Sequence, residues 1–185
     1  MAYAFSTSYK TAGTPVLTAT SVALTTSGNF LGIAVNVFNG VVPSTPIDSK
    51  GNTWVAVTGS PLAVGGNTNI YAWRAENATT GLLHTFTVGV DTLATYSFSI
   101  IGLSGRATAS AIDGTQSSAE GTAVTSHAGP SITPTVTATD IMVLFGDNNA
   151  SSNQNNDTWT AGASLTLPVG GYNPDGRDQP TSGVM

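Results

Sequence analysis

Apolar residues recur at every second position along much of this chain, and this period constrains the fold more than any other feature. The alternation is clearest in residues 30–38, 69–76, 84–90 and 96–100. A period of two is typical of strands with one buried face, and the intervening Thr and Ser suit the outer face of a pleated sheet. Residues 141–145 form a continuous apolar run, which predicts a strand buried on both faces. No segment keeps a helical apolar stripe over three turns, so we expect essentially no helix.

Turn signals such as Ser27-Gly28-Asn29, Gly65-Gly66-Asn67 and Asp113-Gly114 separate these segments at short intervals. The predicted strands are Tyr3–Tyr9, Val16–Thr20, Val22–Thr26, Phe30–Phe38, Thr53–Thr58, Asn69–Glu76, Leu83–Val90, Thr95–Leu103, Thr122–Ser126, Ser131–Thr137, Ile141–Gly146 and Ser164–Leu167. Short strands at this spacing predict an all-β fold, an antiparallel two-sheet sandwich with jelly-roll or Greek-key connections.

The C-terminal residues differ from the rest of the chain. Residues 168–185 are rich in Gly, Pro and Asp and show no alternation. We therefore expect a single sandwich domain over residues 1–167, followed by an extended arm or by truncated final strands over 168–185. An arm of this kind can cover an edge strand of a neighbouring subunit.

The low content of charged residues excludes several classes of function. Only 8% of the 185 residues are charged, against roughly 25% in an ordinary soluble domain. The chain has five basic residues and ten acidic ones, which is too few positive charges to bind a nucleic-acid backbone. No nucleic-acid partner is therefore expected. The absence of Cys excludes a disulfide scaffold and a thiolate metal site. No apolar run approaches the length of a membrane-spanning helix, so no membrane partner is expected either.

Three segments carry a resemblance to a known group of proteins. They are Asp48-Ser49-Lys50-Gly51-Asn52-Thr53-Trp54, then Ile70-Tyr71-Ala72-Trp73-Arg74-Ala75-Glu76-Asn77, then Gly81-Leu82-Leu83-His84-Thr85-Phe86-Thr87-Val88. This order resembles β-sandwich modules of phage virion proteins and bacterial surface proteins, over roughly Asn29 to Phe145. The resemblance implies a structural or adhesive role, and no catalytic motif accompanies it.

The residues themselves give little support to catalysis. His84 is in phase with apolar strand residues and is predicted to be packed, while His127 lies in a predicted loop. The only glutamates, Glu76 and Glu120, are interpreted as solvated surface carboxylates rather than the paired acid and base of a glycoside hydrolase. No Ser lies in a G-x-S-x-G motif, although a triad assembled only in space leaves no signature in sequence. We expect no enzyme, with a hydrolase as the third alternative.

Two candidate ligand sites are specific enough to name. The oxygen-rich segment 147–157 suggests a Ca²⁺ site with Asp147, Asn149 and Asp157 as ligands, although an exposed polar loop explains the same residues and no cofactor is otherwise expected.

Aromatic rings that stack on sugars are the second candidate, with Trp159, Trp54 and Tyr172 as ligand-binding residues. Trp73 shares its face with Tyr71 and is predicted to be core.

These observations predict a structural component of a phage virion, a head-decoration or fibre or tail-type protein. No basic and apolar export signal precedes Lys10, so we expect assembly in the host cytoplasm and a final location in the virion. The partners would be copies of itself and another virion protein. The alternative is a carbohydrate-binding or adhesive module of a phage tail or bacterial surface protein, extracellular or at the cell surface, with a surface glycan as partner.

Overall fold

A computed structural model describes residues 2–10, 14–65, 68–105, 143–146, 166–170 and 181–184. Within these ranges the chain forms strands and no helix. The strands are β1 (Ala2–Lys10), β2 (Val16–Thr20), β3 (Phe30–Phe38), β4 (Ile47–Asp48), β5 (Val55–Ala56), β6 (Leu62–Gly65), β7 (Thr68–Glu76), β8 (Phe86–Ala94), β9 (Ser97–Ser104), β10 (Val143–Gly146), β11 (Thr166–Gly170) and β12 (Thr181–Val184). All pairings are antiparallel, which confirms the predicted all-β antiparallel class.

The large sheet has the strand order β1-β9-β3-β7-β5, with β6 also paired to β7. Its central strand, β3, pairs along its whole length with β7, from Phe30 opposite Glu76 to Phe38 opposite Thr68. On its other side β3 pairs with β9. Every residue of β3 except Phe38 is buried, so both faces of this strand are covered.

The small sheet has the order β2-β8-β4 and packs against one face of the large sheet. The period-two pattern decides which side chains meet there, because alternate residues of each strand point to the same face. Residues of both sheets form one hydrophobic cluster: Ala19, Leu31, Ile33, Val35, Val37, Val41, Trp54, Trp73, Ala75, Phe86, Val88, Val90, Tyr96, Phe98 and Ile100. The predicted core position of Trp73 is confirmed, since this residue is 6% exposed.

The C-terminal sheet consists of β10, β12 and β11 in that order. Strand β11 contacts β1, and β12 contacts β9. Residues 168–185 were expected to form an arm or truncated strands, and they contribute the end of β11 and all of β12. Alternation gives no warning of β12, because Thr-Ser-Gly-Val carries a single large apolar side chain.

Most predicted strands that fall within the described residues are present, and β2 and β3 have the predicted bounds. The predicted strand Val22–Thr26 is wrong: Leu24 forms only an isolated bridge with His84. The predicted strands Thr122–Ser126 and Ser131–Thr137 lie outside the described residues.

Candidate functional site

The turn that follows β4 is organised by the carboxylate of Asp48. Its Oδ1 atom accepts a hydrogen bond from the backbone N–H of Lys50 at 2.8 Å and lies 3.4 Å from the N–H of Asn52. Gly51, with φ of +71°, supplies the left-handed backbone that closes the turn. An Asp that binds the backbone two residues ahead is an Asx turn, so this local geometry follows from the residue types.

The same carboxylate also reaches into the core. Its Oδ2 atom accepts a hydrogen bond from the indole N–H of Trp54 at 2.7 Å. His84 Nε2 lies 3.1 Å from Oδ1, and both side chains are 0% exposed. Within the described residues Nε2 makes no well-aligned hydrogen bond, so the Asp48–His84 contact is a close electrostatic one.

Thr26 occupies the other side of the imidazole ring. Its Oγ1 lies 2.7 Å from His84 Nδ1 and accepts a hydrogen bond from the backbone N–H of Gly81 at 3.0 Å. The hydroxyl proton has a second acceptor, the Gly81 carbonyl at 3.3 Å. The Thr26 hydroxyl therefore lies between the imidazole ring and the backbone of Gly81.

The small sheet brings these residues together. Asp48 pairs with Phe86 across β4 and β8, so its side chain points inward, as that of Phe86 does. The bridge between Leu24 and His84 carries the Thr26 segment along the opposite side of His84. The imidazole stacks on Phe86 with ring centroids 4.2 Å apart, and Trp54 meets Phe86 edge-on at 6.2 Å. We call Thr26, Asp48, Trp54 and His84 the polar cluster.

A side-chain amide ties the polar cluster to a second turn. Asn52 donates from Nδ2 to the carbonyl of Thr79 at 2.9 Å and accepts the backbone N–H of Thr79 through Oδ1 at 2.7 Å. These two bonds fasten the turn at residues 48–52 to the segment that follows β7. Asn52 thereby acts like one residue of a paired strand.

Two opposing effects act on the pKa of Asp48. Burial raises it, because a charged carboxylate is poorly solvated inside the protein. Hydrogen bonds from Lys50, Trp54 and Asn52 and the close contact with His84 favour the charged form, and together they hold the pKa below its ordinary value of 3.8. The carboxylate is therefore ionised at neutral pH.

The polar cluster contains the residue types of a hydrolytic triad in the wrong arrangement. In a triad the carboxylate holds Nδ1 and the nucleophile faces Nε2. Here Asp48 lies at Nε2 and Thr26 at Nδ1. Thr26 is 3% exposed and His84 is 0% exposed, so no substrate reaches the hydroxyl. The geometry fits a structural role, in which buried polar contacts hold the loops together.

In the part of the chain that the structure describes, few donors for a metal ion come together. Asp48 and His84 are adjacent, but no group of three or more His, Cys, Asp or Glu side chains comes together within the described ranges. The predicted calcium ligands Asp147, Asn149 and Asp157 lie outside the described residues.

The predicted sugar-binding aromatics have different positions. Trp54 is 7% exposed and lies in the core, where its ring cannot stack on a bound sugar. Sequence reasoning placed it at the start of a strand, but its indole N–H is directed inward by Asp48. Trp159 and Tyr172 lie outside the described residues. Of the two glutamates, Glu76 accepts a 3.1 Å bond from Arg74, while Glu120 lies outside.

The chain matches no protein-family model, and no curated protein or solved structure is significantly similar to it. In the described part of the chain, no helix has the length and apolar character that a membrane span requires.

Proposed function

We propose that this chain is a structural component of a phage virion, a head-decoration or fibre or tail-type protein. It works through contacts between subunits and with another virion protein, and it is assembled in the host cytoplasm. In this proposal the large and small sheets are the two layers of a jelly-roll-like sandwich.

One observation carries the proposal. The described part of the chain buries its Asp, His and Thr cluster and exposes large hydrophobic side chains. The most exposed of these side chains are Val22, Ile47, Leu82, Leu83 and Leu93, each between 63% and 77% exposed. Single exposed apolar residues are ordinary, but several on an almost uncharged chain favour a surface used for contact.

The resemblance of the three sequence segments to modules of virion and surface proteins supports the same role. Contacts between these segments support the proposal that they form one scaffold. Asp48 and Trp54 of the first segment contact each other, and Asp48 contacts His84 of the third.

The test is mass spectrometry of density-purified virions from the source that encodes this chain. We expect peptides of the chain to co-purify with the major capsid or tail proteins at a constant ratio across the particle peak. A lysate fraction of the same density from uninfected host is the control. Detection of the chain only in soluble fractions, never in particles, would refute the virion role.

A further inference from the structure

The turn at the end of β3 brings together two residues that can react with each other. It consists of Phe38, Asn39, Gly40 and Val41, and the N–H of Val41 donates to the carbonyl of Phe38 at 3.3 Å. The two central residues have φ of +58° and +73°. Two consecutive positive φ values with this hydrogen bond define a type I′ turn, for which Asn followed by Gly is a preferred pair. The sequence contains this pair once in its 185 residues.

Asn followed by Gly is also a chemically reactive pair. The backbone nitrogen of the second residue attacks Cγ of the first, which closes a five-membered ring. The N–Cγ bond forms and the Cγ–Nδ2 bond breaks, and the amide group leaves as ammonia with the proton of the attacking nitrogen. Water then opens the succinimide at either carbonyl, which gives aspartate or isoaspartate. A side chain on the second residue hinders the attack, and glycine has none.

The reacting groups of this turn are accessible. Asn39 and Gly40 are both exposed, so water reaches them and ammonia leaves. In the described part of the chain, no hydrogen bond engages the N–H of Gly40. Apart from its neighbours in the chain, no described residue has an atom within 4 Å of the point where a side chain of Gly40 would begin. The described residues therefore leave room for the peptide between Asn39 and Gly40 to rotate.

Ring closure requires one such rotation. The Gly40 nitrogen faces Cγ of Asn39 when the C–N bond eclipses the Cα–Cβ bond, at a ψ of about −120°, as at the first central residue of a type II′ turn. Types I′ and II′ share the φ of that residue and differ by a flip of the central peptide. Glycine accepts the negative φ that the flip demands, whereas Asn is strained, so the flipped turn is a minor state. The strands keep their places while this state is sampled.

Asn77 provides an internal comparison. It is exposed and has φ of +51°, so its backbone conformation resembles that of Asn39. The next residue is Ala78, whose N–H donates to the carbonyl of Asn29 at 2.9 Å. Ala78 also packs against the hydrophobic core. Its nitrogen cannot turn toward the Asn77 amide without breaking these contacts.

We infer that Asn39 is a site of spontaneous covalent modification, where the folded protein forms aspartate and isoaspartate through a succinimide. Either product adds a negative charge to a formal net charge of −5. Isoaspartate also lengthens the main chain by one carbon, between core residues Val37 and Val41. Beyond the turn, Pro43 forms a bridge with Val90 of the small sheet. Isoaspartate should therefore loosen the connection between the two sheets, whereas aspartate, which tolerates a positive φ, should preserve it.

The test is ageing of the full folded chain at mildly alkaline pH, followed by tryptic digestion and mass spectrometry that distinguishes aspartate from isoaspartate. Cleavage after Lys50 and Arg74 places Asn39 and Asn77 in different peptides. We expect both products to form at least about tenfold faster at Asn39 than at Asn77, because attack by Ala78 must first break its hydrogen bond. The rate at Asn39 should stay constant in urea below the unfolding transition, since the folded turn reacts.

Asn39→Gly is the matched variant, because glycine keeps the positive φ of the turn and has no amide to lose. Aged wild type should contain a fraction that unfolds at lower urea concentration and is enriched in isoaspartate, and the aged variant should lack it.

Three results would overturn the inference. They are conversion at Asn39 no faster than at Asn77, aspartate without isoaspartate, which excludes the ring, and a rate that follows the unfolded fraction in urea, which places the reaction in unfolded chains. None of these measurements bears on the virion role, which particle mass spectrometry tests separately.

Discussion

At the scale of single residues, stability depends on a carboxylate that is buried but well supplied with donors. Asp48 holds the indole of Trp54 and the backbone of Lys50 while it lies against His84. A buried charge is costly when it lacks partners, and breaking one member of such a set leaves the others unsatisfied. Substitutions here should therefore have much larger effects than equivalent ones at the surface.

Asp48→Asn should destabilise the protein by about 3 kcal/mol at pH 7, because an amide replaces one acceptor oxygen with a donor facing Trp54 or His84. The folded state holds the pKa of Asp48 below 3.8. The stability that the ionised carboxylate contributes is therefore complete above pH 3.8 and is lost as the pH falls through the pKa of the folded state. The difference between wild type and variant, measured by urea unfolding, should thus be constant near neutrality and shrink below about pH 4.

Asp91→Asn is the control for this prediction, because Asp91 is exposed and an amide oxygen can still accept the N–H of Val42. Its effect should stay within about 0.5 kcal/mol. Equal losses in the two variants would contradict the role assigned to Asp48.

Thr26→Val removes a hydroxyl while keeping the shape of the side chain. It leaves the Gly81 N–H and His84 Nδ1 without their partner in a buried setting, so we expect a loss of about 1–3 kcal/mol. The neighbouring Thr25 is exposed, and Thr25→Val should change the free energy of unfolding by less than about 0.5 kcal/mol. If both valine variants behave alike in urea titrations, the hydroxyl of Thr26 does not bridge the ring and the loop.

At the scale of elements, the entry into β3 depends on one close approach between backbones. Gly28 has φ of +99°, and a Cβ atom there would lie 2.4 Å from the carbonyl oxygen of Leu103 in β9. The next residue, Asn29, donates its N–H to that same carbonyl at 2.9 Å. The turn before β3 therefore packs directly against β9, and only glycine fits at position 28.

Gly28→Ala should cost about 3 kcal/mol or more, because strained φ and a clash with backbone atoms act together. Gly51→Ala is the matched comparison: its φ is +71° but nothing lies within 4 Å of the added Cβ. It should cost about 1–2 kcal/mol from the left-handed conformation alone. Thermal or urea unfolding of the pair separates the clash from the strain, and similar losses would show that no clash occurs.

The elements also show what the sequence could predict. Strands β2 and β3 have the predicted bounds, and β3 is long enough for its alternation of apolar residues to be seen. Alternation missed β4, which has two residues and exists only through its pairing with β8. Asp48, Trp54 and His84 lie in segments that the sequence made conspicuous, but their contact depends on that pairing. Thr26 gave no signal, since one Thr among many carries no information until the fold places it beside His84.

At the scale of the whole molecule, the two facing sheets are joined by side chains as well as by their apolar core. Tyr96 precedes β9 of the large sheet and is 3% exposed. Its hydroxyl donates to the carbonyl of Val88 in β8 of the small sheet at 2.7 Å. Burial raises the pKa of this phenol to about 12, because the phenolate would lose its solvation between the sheets.

Because the pKa of Tyr96 is raised, we expect its contribution to stability to change at alkaline pH. The stability that Tyr96 contributes is present below the ordinary pKa of 10.0 and is lost as pH rises toward the folded value. Tyr96→Phe should be about 1 kcal/mol less stable than wild type between pH 7 and 9, where the difference is constant. Above pH 10 the difference should shrink and then reverse. If urea titrations show that the difference in unfolding free energy between wild type and Tyr96→Phe stays constant to pH 11, the Tyr96 hydroxyl is not shielded from solvent.

The pairing of β1 with β9 has a consequence for how this protein is made. Strand β1 begins at Ala2, but the residues that pair with it run from Ser97 to Ser104. During synthesis β1 leaves the ribosome long before its partner, and β3 must also wait for β9. Contacts this distant along the chain slow folding and leave apolar strand edges open to solvent in the meantime. A nascent chain arrested before residue 97 should therefore stay bound to a chaperone. A chain extended well past residue 104 should pair β1 and β3 with β9 and dissociate from the chaperone.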